Sequence, residues 1–150
     1  MAETLGSLCD KLTIVKLKQW HSDDTSKLQS LSAQEKQLQD EIIEYVTAAI
    51  EGKIPLGRLT FAANKVYKSS GNVVAEVTGS IGEIFSRLAD VNCKLWHVQE
   101  KVYEFEEVPI DQKDPVVKEL AILNLERNKC IDQLDSMFRK FIETSRNVAQ

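Results

Sequence analysis

The sequence predicts an all-α protein, an antiparallel four-helix bundle made of two duplicated helical hairpins. Three observations carry that expectation. Apolar residues recur at spacings of three and four along four segments, the signature of an amphipathic helix. Two stretches repeat one another: "LTIVKLKQWHSDD" (12–24) and "LADVNCKLWHVQE" (88–100) each end in Trp-His with a carboxylate three residues on. Capping and stop residues stand where four helices would need them. Packing four apolar stripes around one seam is the economical way to bury them.

The first helix carries its stripe on Leu5, Leu8, Leu12 and Val15, and the second on Leu28, Leu31, Leu38, Ile42, Val46 and Ile50. Gly52 is the stop signal after the second helix. Residues 52–79 form a long connection rich in Pro, Gly and Ser, within which "LTFAANKVYK" reads as a short helix. Ser80-Ile-Gly-Glu83 is a capping box that opens the third helix, in which serine and glutamate satisfy the first free N–H groups. Ile81, Ile84, Leu88, Val91, Leu95 and Val98 then fall in one arc, with Trp96 at its edge. After the loop "YEFEEVPIDQKDP", Asp114-Pro115 is expected to open the fourth helix, with proline in the first turn where its missing N–H costs little.

Superposing His21 on His97 aligns Leu5 with Ile81, Gly6 with Gly82, Lys11 with Arg87, Val15 with Val91 and Trp20 with Trp96. The second and fourth helices align likewise, Leu31 with Leu123 and Ile42 with Leu134. The expected organisation is a single domain over 1–150, with repeat 1 at 4–51, the connection at 52–79, and repeat 2 at 80–147.

At a net charge of −4 the chain lacks the basic face that nucleic-acid binding needs. No apolar run approaches the roughly 20 residues that span a bilayer, and no secretory signal is visible at the N-terminus. The three scattered cysteines read as small buried or half-buried hydrophobes in a reducing compartment, hence a cytoplasmic protein.

Candidate chemistry is sparse. At about 100° per residue both His21 and His97 point away from the apolar stripe, and they precede their carboxylates, Asp24 and Glu100. That excludes the inward Glu-x-x-His pattern of a dimetal bundle, so neither a metal nor a cofactor is expected. Ile14 and Leu17 share the side of His21, so a hydrogen-bonded histidine covered by the connection is expected. Glu35 and Arg127 fill equivalent gaps in the second and fourth stripes. Because a lone buried charge is expensive, they are expected to pair inside the bundle, or Arg127 to bind another carboxylate there. Arg127 alternatively awaits an anionic ligand. The connection offers Arg58, Lys65, Tyr67 and Lys68 beside Ser69, Ser70, Gly71 and Asn72, a weak phosphate or sugar-phosphate signal without a phosphate-loop motif. An all-α nucleotide pyrophosphohydrolase would need Glu-x-x-Glu followed by Glu-x-x-Asp. Glu41 and Glu44 supply the first pair, but Glu83 and Asp90 are seven apart.

The motif "NCKLWHVQEK" followed by "LNLERNKCIDQLD" resembles a helical bacterial family catalogued as a domain of unknown function. That family carries Leu-Trp-His-x-x-Asp/Glu and then Asn-x-x-Arg-Asn. The matching residues are Leu95, Trp96, His97, Glu100, Asn124, Arg127 and Asn128. "NKVYKSSGN" is loosely similar to a Lys-x-Tyr-Asn stretch of the family, with Lys68 in place of its Asn. The first half matches more weakly, with Asp24 as the acid and Glu35 in place of the arginine. The resemblance implies a helical fold and an accessory role near surface-polysaccharide and glycosyltransferase genes.

The expected function is therefore non-enzymatic: binding a protein partner or itself, as an oligomer, with no nucleic acid and no membrane involved. The alternative is a small-molecule protein or enzyme acting on a sugar nucleotide or phosphate through Arg127 and the basic connection. The site candidates are His21, His97, Glu100, Asn124, Arg127, Lys65 and Tyr67.

Overall fold

A computed structural model describes residues 2–61 and 76–148. The chain is all-α, as its periodicity predicts: four long helices, with no strand among the described residues. They are α1 (Leu5–His21), α2 (Thr25–Ile50), α3 (Ile81–Tyr103) and α4 (Ile110–Val148). Short 3-10 turns stand at Leu56–Arg58 and Phe105–Glu107. No described helix is long and apolar enough to cross a membrane.

Each boundary has a local cause. Thr4 caps α1: its hydroxyl accepts the Ser7 N–H at 3.2 Å while the Ser7 hydroxyl oxygen accepts the Thr4 N–H at 2.9 Å. Ser80 and Glu83 form the expected capping box on α3, at 3.2 and 2.7 Å. Asp24 caps α2 by accepting the Lys27 N–H. Gly52, at φ 76°, ends α2. Its N–H reaches the Ala49 carbonyl and that of Lys53 reaches Ala48, the paired bonds of a Schellman stop.

The start of α4 corrects the sequence reading. The helix begins at Ile110, so Pro115 lies inside it rather than opening it. A proline in the second turn forfeits only one early backbone bond, at residue 111, and the turn tolerates that. The short helix expected within 59–68 lies mostly outside the described residues.

The chain divides into two compact units. Unit 1 is Met1–Ala62 with Ile131–Gln150, and unit 2 is Ala63–Cys130. The division falls inside α4 rather than in the connection, because the C-terminal part of α4 packs with α1 and α2. In unit 1, residues 22–24 reverse the chain between α1 and α2. Ala49, Leu59, Phe138 and Ile142 form a buried cluster, flanked by Leu5, Tyr45 and Val46. Arg146 ties this cluster shut by donating from Nη2 to the Ala49 and Ile54 carbonyls at 3.0 and 2.9 Å. A guanidinium at the end of α2 satisfies carbonyls that the helix leaves open and suits its negative pole. In unit 2, α3 and the first half of α4 run antiparallel and bury Val91, Leu95, Val98, Val116 and Leu123. An Arg87–Glu126 ion pair at 2.8 Å lies alongside that cluster.

Candidate functional site

The polar centre of unit 1 is Asp135, which the sequence reading passed over. Residues 131, 135, 138 and 142 follow the spacing of a buried helical arc, so the Asp135 carboxylate enters the packed interior, where its side chain is 2% exposed. Its Oδ1 accepts the Gly6 N–H at 2.7 Å, and the Thr4 side chain also hydrogen-bonds to it. Gly6 is the second residue of α1, and its N–H is one of the donors a helix leaves open at its start. An anion there is favoured by the helix dipole as well. The close approach requires glycine: a Cβ at position 6 would lie 2.7 Å from the Ile131 carbonyl oxygen and 2.8 Å from Asp135 Oδ1.

Burial pushes the Asp135 carboxyl up to about 6. The Gly6 and Thr4 bonds pull it down and Asp132 pushes it further up. The same environment makes Cys9 inert as a nucleophile, because burial, then Asp135 and Asp10, raise its thiol to about 11. Tyr45 is raised to about 12 by burial and by Asp135. Its hydroxyl is buried with no hydrogen-bond partner among the described residues. Beside Asp135 opens a pocket of about 150 Å³ lined by Thr60, Phe61, Asp132, Asp135 and Ser136. The Asp132 and Asp135 carboxylates in such a wall repel phosphate, so this pocket does not suit a sugar phosphate or nucleotide. Among the described residues no group of three or more His, Cys, Asp or Glu could hold a metal ion.

The sequence-derived candidates do not gather at this centre. His97 is exposed on α3 with Nδ1 3.7 Å from Glu100 Oε2. The Trp96 indole N–H donates to Glu100 Oε1 at 2.9 Å. The second Trp-His-x-x-Glu signature is thus a surface cluster on one helix face, with its carboxylate bridging the two rings. In the first copy Asp24 caps α2 instead, and Trp20 stands 86% exposed. Both histidines face outward, as the helical geometry requires. The expected cover over His21 is corrected: the ring is exposed at the end of α1, with Nδ1 2.9 Å from the Leu17 carbonyl oxygen. Its apolar neighbours Ile14 and Leu17 are half-buried.

Asn124 and Asn128, half-buried on α4, donate their amides to the Leu120 and Asn124 carbonyls at 3.0 and 2.8 Å. Arg127 is half-buried in unit 2. Lys65 and Tyr67 lie outside the described residues, as do Lys68, Ser69, Ser70, Gly71 and Asn72. Glu83 is engaged in the α3 cap and Asp90 pairs with Lys94 at 2.8 Å, roles that need no metal.

Glu35 differs from expectation. Its carboxylate accepts from Lys16 at 3.0 Å and from Gln19 at 2.8 Å, both on α1, and those bonds hold it below the usual carboxylate range. Position 35 lies at the edge of the apolar arc, where a long side chain reaches the rim and solvent. Glu35→Gln is therefore expected to leave the urea midpoint of unfolding almost unchanged, as changes at exposed pairs do. A large fall in that midpoint would mark an interior charge instead.

Comparison with protein-family models, with curated proteins and with solved structures finds no significant match to this chain.

Proposed function

We propose that the protein is a non-enzymatic helical binding protein that works by protein–protein contact and self-associates through unit 1. One observation carries this reading. Ile43 and Ile50 on α2, and Phe141 and Val148 on α4, are large apolar side chains left to solvent, each pair seven residues apart. A seven-residue interval returns to nearly the same side of a helix, so each pair forms an apolar ridge of the kind helices use to pack across a subunit boundary. The interior supports the reading, because Thr4 and Gly6 both hydrogen-bond to the Asp135 carboxyl. The three thiols, none in a disulfide, suit a reducing compartment such as the cytoplasm. The family resemblance suggests an accessory role alongside surface-polysaccharide and glycosyltransferase genes.

Light scattering across the micromolar range tests the proposal. The mass is expected to rise from one chain toward two, and to stay at one chain in an Ile43→Ser, Ile50→Ser double variant or a Phe141→Ser, Val148→Ser double variant. A one-chain mass for the unaltered protein at every concentration contradicts it.

A further inference from the structure

The end of the α3–α4 hairpin is chemically unlike the rest of the surface. Residues 100–119 hold seven carboxylates and three lysines, which accounts for the whole negative excess of a chain whose net charge is −4. Glu104, Glu106, Glu107, Asp111 and Asp114 are exposed. No ion pair engages any of these five among the described residues. Lys113, next to Asp114 in sequence, stands 4.8 Å over the Phe105 ring.

Local stability does not explain this placement. Acids in the first turns of α4 suit the positive pole of a helix, so Asp111 and Asp114 are ordinary there. Glu100, Glu104, Glu106 and Glu107 instead crowd the C-terminal end of α3, where the helix dipole disfavours negative charge and a basic side chain would be preferred. The last turn of α3 offers only Lys101 in compensation. Interleaved with these acids are Tyr103, 82% exposed, and Ile110, 89% exposed, with Val117 two turns further along α4. Large apolar groups set among carboxylates without counter-ions are costly to display and useful to bind with. Aromatic and aliphatic anchors supply contact energy, and a one-signed rim selects the partner's charge.

We propose that this end of the hairpin is a docking site for a basic amphipathic helix of a partner protein. This rests on the reading of the protein as one that works by binding other proteins. Charge decides the occupant. A second copy would bring the same acidic surface against this one, whereas Lys and Arg flanking a Leu or Trp stripe would meet both features at once. The site lies in unit 2, whereas the ridges assigned to self-association belong to unit 1.

The test uses the full chain and three synthetic peptides of equal length: a Lys/Leu/Trp amphipathic helix, its Glu/Leu/Trp counterpart, and a scrambled Lys/Leu/Trp sequence without a stripe. Titration calorimetry is expected to show micromolar binding of the first alone, weakened by salt. Reversing the acids with Glu104→Lys, Glu106→Lys and Glu107→Lys should weaken it about tenfold or more. This variant is expected to fold well, since it places cations where the α3 dipole favours them. Tyr103→Ser with Ile110→Ser should weaken binding comparably. A control with Asp23→Lys, Glu44→Lys and Glu51→Lys, carrying the same net charge, should bind as the unaltered protein does. The proposal is overturned if the control loses binding as fully as the tip variant, if the acidic or scrambled peptide binds equally well, or if Tyr103→Ser with Ile110→Ser abolishes self-association instead. Failure here with intact concentration-dependent mass removes this site and leaves the self-association reading standing.

Discussion

Replacing Gly6 with alanine should destabilise the protein by about 2 kcal/mol or more, while the same change at Gly82 should leave it as stable or slightly more so. The two glycines occupy the same place in their helices, the second residue after a capping Thr4 or Ser80. Alanine normally improves a helix by up to about 1 kcal/mol over glycine. At Gly82 nothing stands within 4 Å of the added methyl group, so that gain is free to appear. At Gly6 the methyl would sit 2.7 Å from a backbone oxygen of α4, which cannot rotate away as a side chain can. Overpacking of this kind costs about 1–3 kcal/mol and sometimes more, and here it also pushes the Gly6 N–H off Asp135. In a chain of this length the loss corresponds to a fall in melting temperature of about 5 °C or more. Thermal unfolding of the two variants side by side checks it; equal effects at both sites would show that α1 and α4 do not approach as described.

Asp135→Asn should make the protein more stable at neutral pH and remove part of its pH dependence. The folded carboxyl is raised to about 6 from its ordinary 3.8, so between those limits the folded state binds a proton that the unfolded state has released. Stability from this group is therefore fully present below about pH 4 and is lost as pH rises through 6. At about 1.4 kcal/mol per unit, the loss is on the order of 3 kcal/mol. Asparagine retains an oxygen for the Gly6 N–H without a charge to bury. Urea unfolding of both proteins at several values between pH 4 and 7 should show the difference between them growing with pH. Carboxyls held low, such as Glu3, Glu35 and Glu83, titrate with the opposite sign but are common to both chains. A constant difference across that range would mean that Asp135 keeps an ordinary carboxyl. Asp135→Ala, by contrast, leaves the Gly6 N–H and Thr4 without their acceptor and should destabilise at every pH.

The parts of the fold governed by local chemistry were legible from residue types. Ser80 with Glu83 announced the start of α3, and Gly52 announced the end of α2, because a cap or a left-handed residue acts within one turn of itself. The third stripe, Ile84 through Val98, was equally plain, since one face alone of α3 is buried. The Thr4–Ser7 cap was harder to see, because serine at the third position lacks the reach that marks the usual Glu or Gln signature. Pro115 misled because its preference for a first turn is a tendency, and the cost in a second turn is small.

The polar interior is legible in principle, but the acid that the periodicity places there, Glu35, stands at the rim, and Asp135 is the one inside. Glu35 and Asp135 both interrupt apolar series. Glu35 sits at the rim, where Lys16 and Gln19 reach it. Asp135 sits where Gly6 lets two backbones come together. Nothing within four residues of Asp135 distinguishes the two cases. The deciding partner is 129 positions away in sequence, and a pairing at that distance follows from tertiary packing alone.

The most direct test of the account is the concentration-dependent mass of three chains measured side by side: the unaltered protein, Asp135→Asn, and the Ile43→Ser, Ile50→Ser double variant. If binding belongs to the outer ridges and the Asp135 cluster serves only to hold α1 on α4, the first two chains associate alike and the third remains a single chain of undiminished stability. Association lost in folded Asp135→Asn, or kept in the double variant, would contradict that division of labour.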